Sequence, residues 1–249
     1  MIICEIGLNH LGNQQYAHEY VNKVIKSKAD GITFYIGNKS FYLQQKFSDF
    51  VLPDYFYEKI SKTLRQNNVK FGVMISDVSK IDFFENIHVN FYKVFSNDIG
   101  NLDLISKLTQ TKKRVLVSTG MSDLNEIEKL VDFIKESKER FTLIHTQLSN
   151  KLDLVNLKAI PMLRKRFEMP IAFGSHAQNT NVLLVALAYE PSDLLFYVKG
   201  NKTKNHPDER HAIKLKELKN MIKNLRELPK TLGEEVKIKT KNEIAYKTD

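Results

Sequence analysis

Tryptophan is absent from the 249-residue chain, and cysteine occurs once, as Cys4. A single thiol excludes an intramolecular disulfide and any cysteine-based zinc cluster, so nothing demands an oxidising compartment and a cytoplasmic location is expected. Glycine and proline are scarce, at 10 and 6 residues, which excludes collagen-like and low-complexity disordered chains. No apolar run approaches the roughly 18 residues of a membrane helix. The first apolar stretch follows no basic leader, so neither a membrane span nor a secretory signal is expected.

Hydrophobic residues make up 42% of the chain, enough for a packed core, and the length suits one large domain. The formal net charge of +9 raises the question of nucleic acid or an anionic ligand, which the placement of the lysines decides. They are scattered over the polar faces of expected helices, as in Glu126-Ile127-Glu128-Lys129 and Lys214-Leu215-Lys216-Glu217-Leu218-Lys219, without a nucleic-acid-binding motif. Solvated helix faces are the favoured reading, with a general attraction for small anions.

Short apolar runs alternate with amphipathic segments along the whole chain, the pattern of repeated βα units around a parallel sheet. The strand candidates are Ile2–Ile6, Gly31–Ile36, Lys70–Ile75, Tyr92–Ser96, Arg114–Ser118, Thr142–His145, Ile171–Phe173 and Leu194–Val198. Helices are expected to begin near Gln14, Pro53, Val78, Leu102, Asp123, Asp153, Asn179 and Ala212. Ser122-Asp123 followed by Glu126 reads as a capping arrangement, and Gly233 follows the last apolar helical run. Eight units favour a closed single-domain (β/α)₈ TIM barrel over residues 1–233, with 234–249 as a short tail. An open doubly wound sheet is the competitor, but it calls for a Gly-rich phosphate turn after the first strand, which Gly7-Leu8-Asn9-His10 is not.

In such a barrel the chemistry belongs at the carboxyl ends of the strands. Polar residues collect there: Glu5, Asn9 and His10 after the first, Ser96 to Asp98 after the fourth and Ser118 to Gly120 after the fifth. His145, His176 and Lys199 end the last three strands. Singly each could merely cap the next helix; their recurrence points to a shared pocket.

The opening Cys4-Glu5-Ile6-Gly7-Leu8-Asn9-His10-Leu11-Gly12 resembles the E-I-G-x-N-H-x-G signature of the sialic acid synthase barrel. Tyr92-Lys93-Val94 with Ser96 and Asn101-Leu102, then Lys113 with Val117-Ser118-Thr119-Gly120-Met121, resemble further family segments in family order. Asp153-Leu154-Val155-Asn156-Leu157-Lys158-Ala159-Ile160 is similar to the family's D-V-N-L-x-A-I. The resemblance implies condensation of phosphoenolpyruvate with an amino sugar to a nonulosonic or related 3-deoxy-ulosonic acid, in surface carbohydrate biosynthesis, with a divalent metal such as Mn or Mg.

Carried over residue by residue, the resemblance implies Glu5 and His176 as catalytic positions; Lys199 is a third candidate on its own chemistry, as an amine at the end of an apolar strand. Asn9, His10, Thr33, Ser96, Asn101, Lys113, Ser118, His145 and His211 become substrate-contact candidates, and His176 the metal ligand. A compact multiply charged anion suits lysine and hydroxyl donors. Three departures stand out. Lys199 occupies the place of a second family histidine, for which His206 or His211 could substitute. Thr33, in Ile32-Thr33-Phe34-Tyr35, replaces a family lysine, with Lys39 and Lys46 in the following loop. The chain is also expected to stop before a small antifreeze-like domain that closes the family's sugar site, and a homodimer is compatible with the resemblance. Two alternatives stay open: a paralogue that binds a sugar or a partner subunit without turnover, and a metal-independent aldolase forming a Schiff base at Lys199.

Overall fold

A computed structural model describes residues 1–201, 205–234, 236–239 and 243. Eight parallel strands run in sequence order: β1 (Ile2–Gly7), β2 (Gly31–Ile36), β3 (Lys70–Ile75), β4 (Phe91–Val94), β5 (Arg114–Ser118), β6 (Phe141–His145), β7 (Ile171–Ser175) and β8 (Leu194–Lys199). Pairing of β1 with β8, in the register Glu5 opposite Tyr197, closes the barrel. These strands are buried on both faces, which is why they read as near-continuous apolar runs rather than alternating ones.

The surrounding helices are α1 (Gln14–Ser27), α2 (Lys39–Tyr42), α3 (Asp54–Gln66), α4 (Ile81–Asn86), α5 (Leu102–Gln110), α6 (Leu124–Phe133), α7 (Ala159–Phe167), α8 (Val182–Ala186) and α9 (Leu218–Glu227). Local chemistry sets several ends. Asn13 accepts from Tyr16 N–H at 2.8 Å to start α1, and Lys28 ends it in the left-handed region at φ 67°. Asp123 and Glu126 form the reciprocal capping box of α6.

Where a turn precedes a helix, the helix starts later than the sequence pattern predicts. Val78–Lys80 and Leu152–Leu154 are single 3₁₀ turns, so the helices expected from Val78 and Asp153 begin at Ile81 and Ala159. The helix expected from Asn179 begins at Val182. Ala212 does not open a helix, because Ile213–Lys214 continues extended as β9, pairing in parallel with Val198–Lys199, and α9 starts six residues later at Leu218. The expected tail, 234–249, lies partly outside the described residues, at 235, 240–242 and 244–249.

Alternation along the strands sorts side chains into two cores. The outward set (Cys4, Phe34, Phe71, Val94, Val117, Phe173 and their kin) packs under the helices in the main cluster. The inward set, Ile3, Phe91, Leu116, Ile144, Ala172 and Leu195, fills the lower barrel as a separate cluster. Phe91 fits only because residue 72 is glycine: a Cβ there would lie 2.3 Å from the Phe91 ring.

Below that layer, at the amino ends of the strands, Asp193 is fully buried and tied to Arg114, to the Met1 amine at 3.0 Å and to the Ser192 hydroxyl at 2.9 Å. Arg114 also donates to Thr142 Oγ1 at 2.9 Å, linking three strands' amino ends. Burial alone would raise the Asp193 carboxyl, but the bonds and charge of Arg114 and the amine override it and hold it below the usual range.

Candidate active site

Two residues above five of the six members of the lower inward layer, the barrel lining turns polar. From Ile3, Phe91, Leu116, Ile144 and Leu195, alternation places Glu5, Lys93, Ser118, Thr146 and Tyr197 facing the axis. Thr33 joins them, since it is the register partner of Glu5 and its neighbours Ile32 and Phe34 belong to the outer cluster.

The centre of this layer is a buried ion pair between Glu5 and Lys93, whose side chains are 2% and 6% exposed. Two charges removed from water are tolerated only when paired, because an isolated buried ion costs several kcal/mol (about). The Lys93 ammonium also lies 5.9 Å from the centre of the Tyr197 ring. Around the pair, Ser96 and Ser118 share a hydroxyl–hydroxyl hydrogen bond of 2.8 Å. Thr33 Oγ1 and Thr146 Oγ1 are buried without a partner. Thr146 is seated by two glycines: a Cβ at Gly120 or Gly174 would lie 3.0 and 3.5 Å from its side-chain carbons.

Above this layer His176, Tyr197 and His211 form a ring cluster, with centroid separations of 4.6 Å between the histidines and 5.6 and 5.2 Å from each to Tyr197. Burial first, then the charges of His211 and Lys93, push His176 down to about 3, so its imidazole is neutral at physiological pH. His211 Nε2 faces Asp208 Oδ1 at 3.5 Å without forming a hydrogen bond to it.

The loop that carries Asp208 and His211 is pinned at two points. Asn9 donates to Val198 O at 2.9 Å and accepts from Asp208 N–H at 3.1 Å. Glu209 binds Lys199 Nζ at 2.5 Å and His206 Nδ1 at 2.8 Å, and His206 Nε2 meets the Tyr16 hydroxyl at 2.8 Å. Although burial opposes it, the hydrogen bonds from Lys199 and His206 and the charge of Lys199 lower the Glu209 carboxyl to about 2.

The structure therefore brings together Glu5, Thr33, Ser96, Ser118, His176 and His211 among the residues proposed from sequence. Asn9 sits beside them as a loop anchor. His10 and His145 turn the other way: His10 lies against Phe34 with Nδ1 accepting from Gly12 N–H at 3.0 Å, and His145 Nε2 meets Val155 O at 3.0 Å beside Phe173. Burial lowers both imidazoles, His10 to about 3. Asn101 caps α5, accepting from Leu104 N–H at 3.2 Å. Lys113 precedes β5 at the amino end of the barrel, next to Arg114, and does not reach this cluster.

The lysine that does reach it, Lys93, was not among the site candidates. Its signal was available: a charged residue between Tyr92 and Val94 in a strand buried on both faces can only point into the barrel, where it needs a partner.

For a divalent metal the fit is poor. Among the described residues no three His, Cys, Asp or Glu side chains converge as a ligand set. His176 has one imidazole neighbour, Lys93 adds positive charge beside it, and Lys199 is committed to Glu209. That pairing sets Lys199 against a carboxylate instead of in the apolar pocket or beside the second cation that activates a Schiff-base lysine.

The model of the NeuB family matches residues 3–237. A protein of Methanocaldococcus jannaschii, itself uncharacterised, is 30% identical over 95% of this chain and 73% of its own length. The N,N'-diacetyllegionaminic acid synthase of Campylobacter jejuni is 23% identical over 98% of this chain and 80% of its own. Among solved structures, the N-acetylneuraminic acid (sialic acid) synthetase of Leptospira borgpetersenii, in complex with citrate, superposes with a TM-score of 0.89 at 24% identity, covering 99% of this chain and 90% of that one.

Proposed function

Since the chain belongs to the NeuB family, we propose that its barrel mouth performs, in a pared-down form, a condensation of phosphoenolpyruvate with an amino sugar to a 3-deoxy-2-ulosonic acid. The observation that supports this reading is the buried Glu5–Lys93 pair ringed by hydroxyls that lack partners. Unpaired buried donors cost roughly 1–3 kcal/mol each and are kept where a ligand satisfies them. The Lys93 ammonium and the hydroxyls of Ser96, Ser118, Thr33 and Thr146 offer charge and donors to the carboxylate and phosphate of a compact anion.

In the balanced reaction, C3 of the enol attacks the aldehyde carbon of the open-chain sugar, water adds at C2, and phosphate leaves with its bridging oxygen. The attacking water loses both protons as its oxygen becomes the C2 carbonyl, one balancing the new alkoxide and one the departing phosphate. Glu5, at the floor, is the carboxylate placed to accept the water's proton, with Lys93 holding it in position and offsetting its charge. His176, neutral at physiological pH, is an acceptor or donor for a sugar hydroxyl rather than an anion site.

A specific pair of observations favours a second reading, a barrel that binds ligand without turnover. Thr33 supplies no charge where the resembled family has lysine, and Lys199 is neutralised by Glu209. Phosphate release from phosphoenolpyruvate in the presence of a panel of amino sugars separates the two. The synthase reading expects release that falls at least about 10²-fold in Lys93→Met, the scale of losing an electrostatic contact to the reacting group. Calorimetric binding of phosphoenolpyruvate without release by any sugar would support the binding protein instead.

A further inference from the structure

The loop between β2 and α3 is unusually aromatic. Phe41, Tyr42, Phe47 and Phe50 lie within ten residues, and they pack on Leu8, Tyr35 and Met74 as a small cluster distinct from both barrel cores. Phe41 and Phe47 stack at 4.4 Å with their planes 15° apart, and Phe41 meets the edge of Tyr35 at 4.9 Å. The loop is held by close backbone approach: Gly12, at φ 70°, leaves room for the carbonyl of Asp49, which a Cβ would meet at 1.7 Å.

Underneath, the packing is incomplete. A pocket of about 200 Å³ is lined by Tyr35, Phe41, Phe47, Met74, Phe95 and Tyr197, together with Asp208. The pocket is open to the surface and lined mainly by aromatic and aliphatic side chains, which favour an apolar group of a ligand over a hydroxylated one. It also adjoins the polar floor. Tyr197 forms its wall and faces Lys93 and His176 on the other side, and Met74 is the register partner of Lys93. Phe41 and Phe47 are themselves half-buried, so the loop does not simply plug the barrel.

We propose that this cavity is a specificity subsite for an aliphatic substituent of the ligand whose polar end sits at Glu5 and Lys93, with Phe41 and Phe47 as the specificity-determining residues. The inference rests on the polar layer being a ligand site, but not on the condensation itself. A hydroxylated carbon placed there would lose its water contacts to aromatic rings, whereas a methyl or short alkyl group gains burial. The volume limits the guest to a few carbons, which excludes a peptide side-chain stack or a lipid tail.

The test uses straight-chain 2-oxo acids of three, four and five carbons as probes, titrated into the full chain with ligand-detected NMR. Wild type is expected to bind each longer acid about fourfold more tightly, the value of one buried methylene. Phe47→Ser, at a half-exposed position that does not carry the fold, should flatten the series, while Phe47→Leu restores it. Equal affinities along the wild-type series, a series unchanged in Phe47→Ser, or no binding at any length would overturn the subsite. A graded series in a protein that releases no phosphate from phosphoenolpyruvate would keep the subsite and sink the synthase. Phosphate release with a flat series would do the reverse.

Discussion

The two ends of the barrel handle buried polar groups in opposite ways. At the amino end, Asp193 is fully buried yet has Arg114, Ser192 and the Met1 amine around it, and Arg114 is further bonded to Thr142. At the level of Glu5 and above, His10, Thr33, Thr146 and His211 each hold a buried side-chain atom with no hydrogen-bond partner. Among the described residues Arg140 is the one such case toward the amino end, and its other guanidinium nitrogens reach Glu139 and Thr109. Both regions use the same strands and the same alternation. A fully satisfied network rigidifies, whereas a partly satisfied one in the same scaffold is maintained at a cost in stability, and that cost is what marks the carboxyl end as the working end.

This contrast can be broken most severely at its charged centre. Lys93→Ala leaves Glu5 buried without its cation and is expected to destabilise the fold by about 3–5 kcal/mol in urea unfolding. Replacing both partners, as Glu5→Leu with Lys93→Met, should recover most of that loss while abolishing ligand binding. A double variant as unstable as the single one would show that the pair is structural.

At the other end, Arg114→Ala is expected to cost about 1.5–3 kcal/mol, the worth of hydrogen bonds to a charged group. Because the folded Asp193 carboxyl is lowered, its contribution is present above the unfolded value near pH 4 and fades as the pH falls through the lower folded one. The wild type should therefore lose stability in that acid window, and Arg114→Ala should lose less there. Parallel acid profiles for the two proteins would remove Arg114 as the cause.

A smaller effect concerns His176. With its imidazole held down at about 3, its ring resonances should not titrate between pH 5 and 8, and this is read directly by NMR. A midpoint near 6 would place it in water, not in the barrel.

Much of the scaffold was legible in the sequence. A strand buried on both faces has no polar positions to spare, so all eight stand out as apolar runs, and the carboxyl-end rule locates Glu5, Ser96, Ser118 and His176 without coordinates. The errors have one physical origin, the direction of a side chain. His145 and His10 sit in the right sequence neighbourhood but turn outward to Phe173 and Phe34, and Lys113 lies before its strand instead of after it. Parity with the inward residue Phe91 identifies Lys93. The aromatic loop over the mouth could be seen only as composition, since nothing in Phe41 or Phe47 tells where a connection of that length folds back. The late start of α9 follows from β9, whose pairing with β8 overrides the helical pattern of Lys214 to Lys219.

The orphan hydroxyls offer the most direct test of the claim that the carboxyl end is kept unsatisfied for a ligand. Thr146→Val and Thr33→Val remove them with little change in shape, so urea unfolding and calorimetric titration with phosphoenolpyruvate should be measured on the same samples. Stability is expected to be unchanged or raised by up to about 1–3 kcal/mol, because an unpaired buried group is gone, together with binding weakened about tenfold or more. Reduced stability with binding intact would contradict that claim.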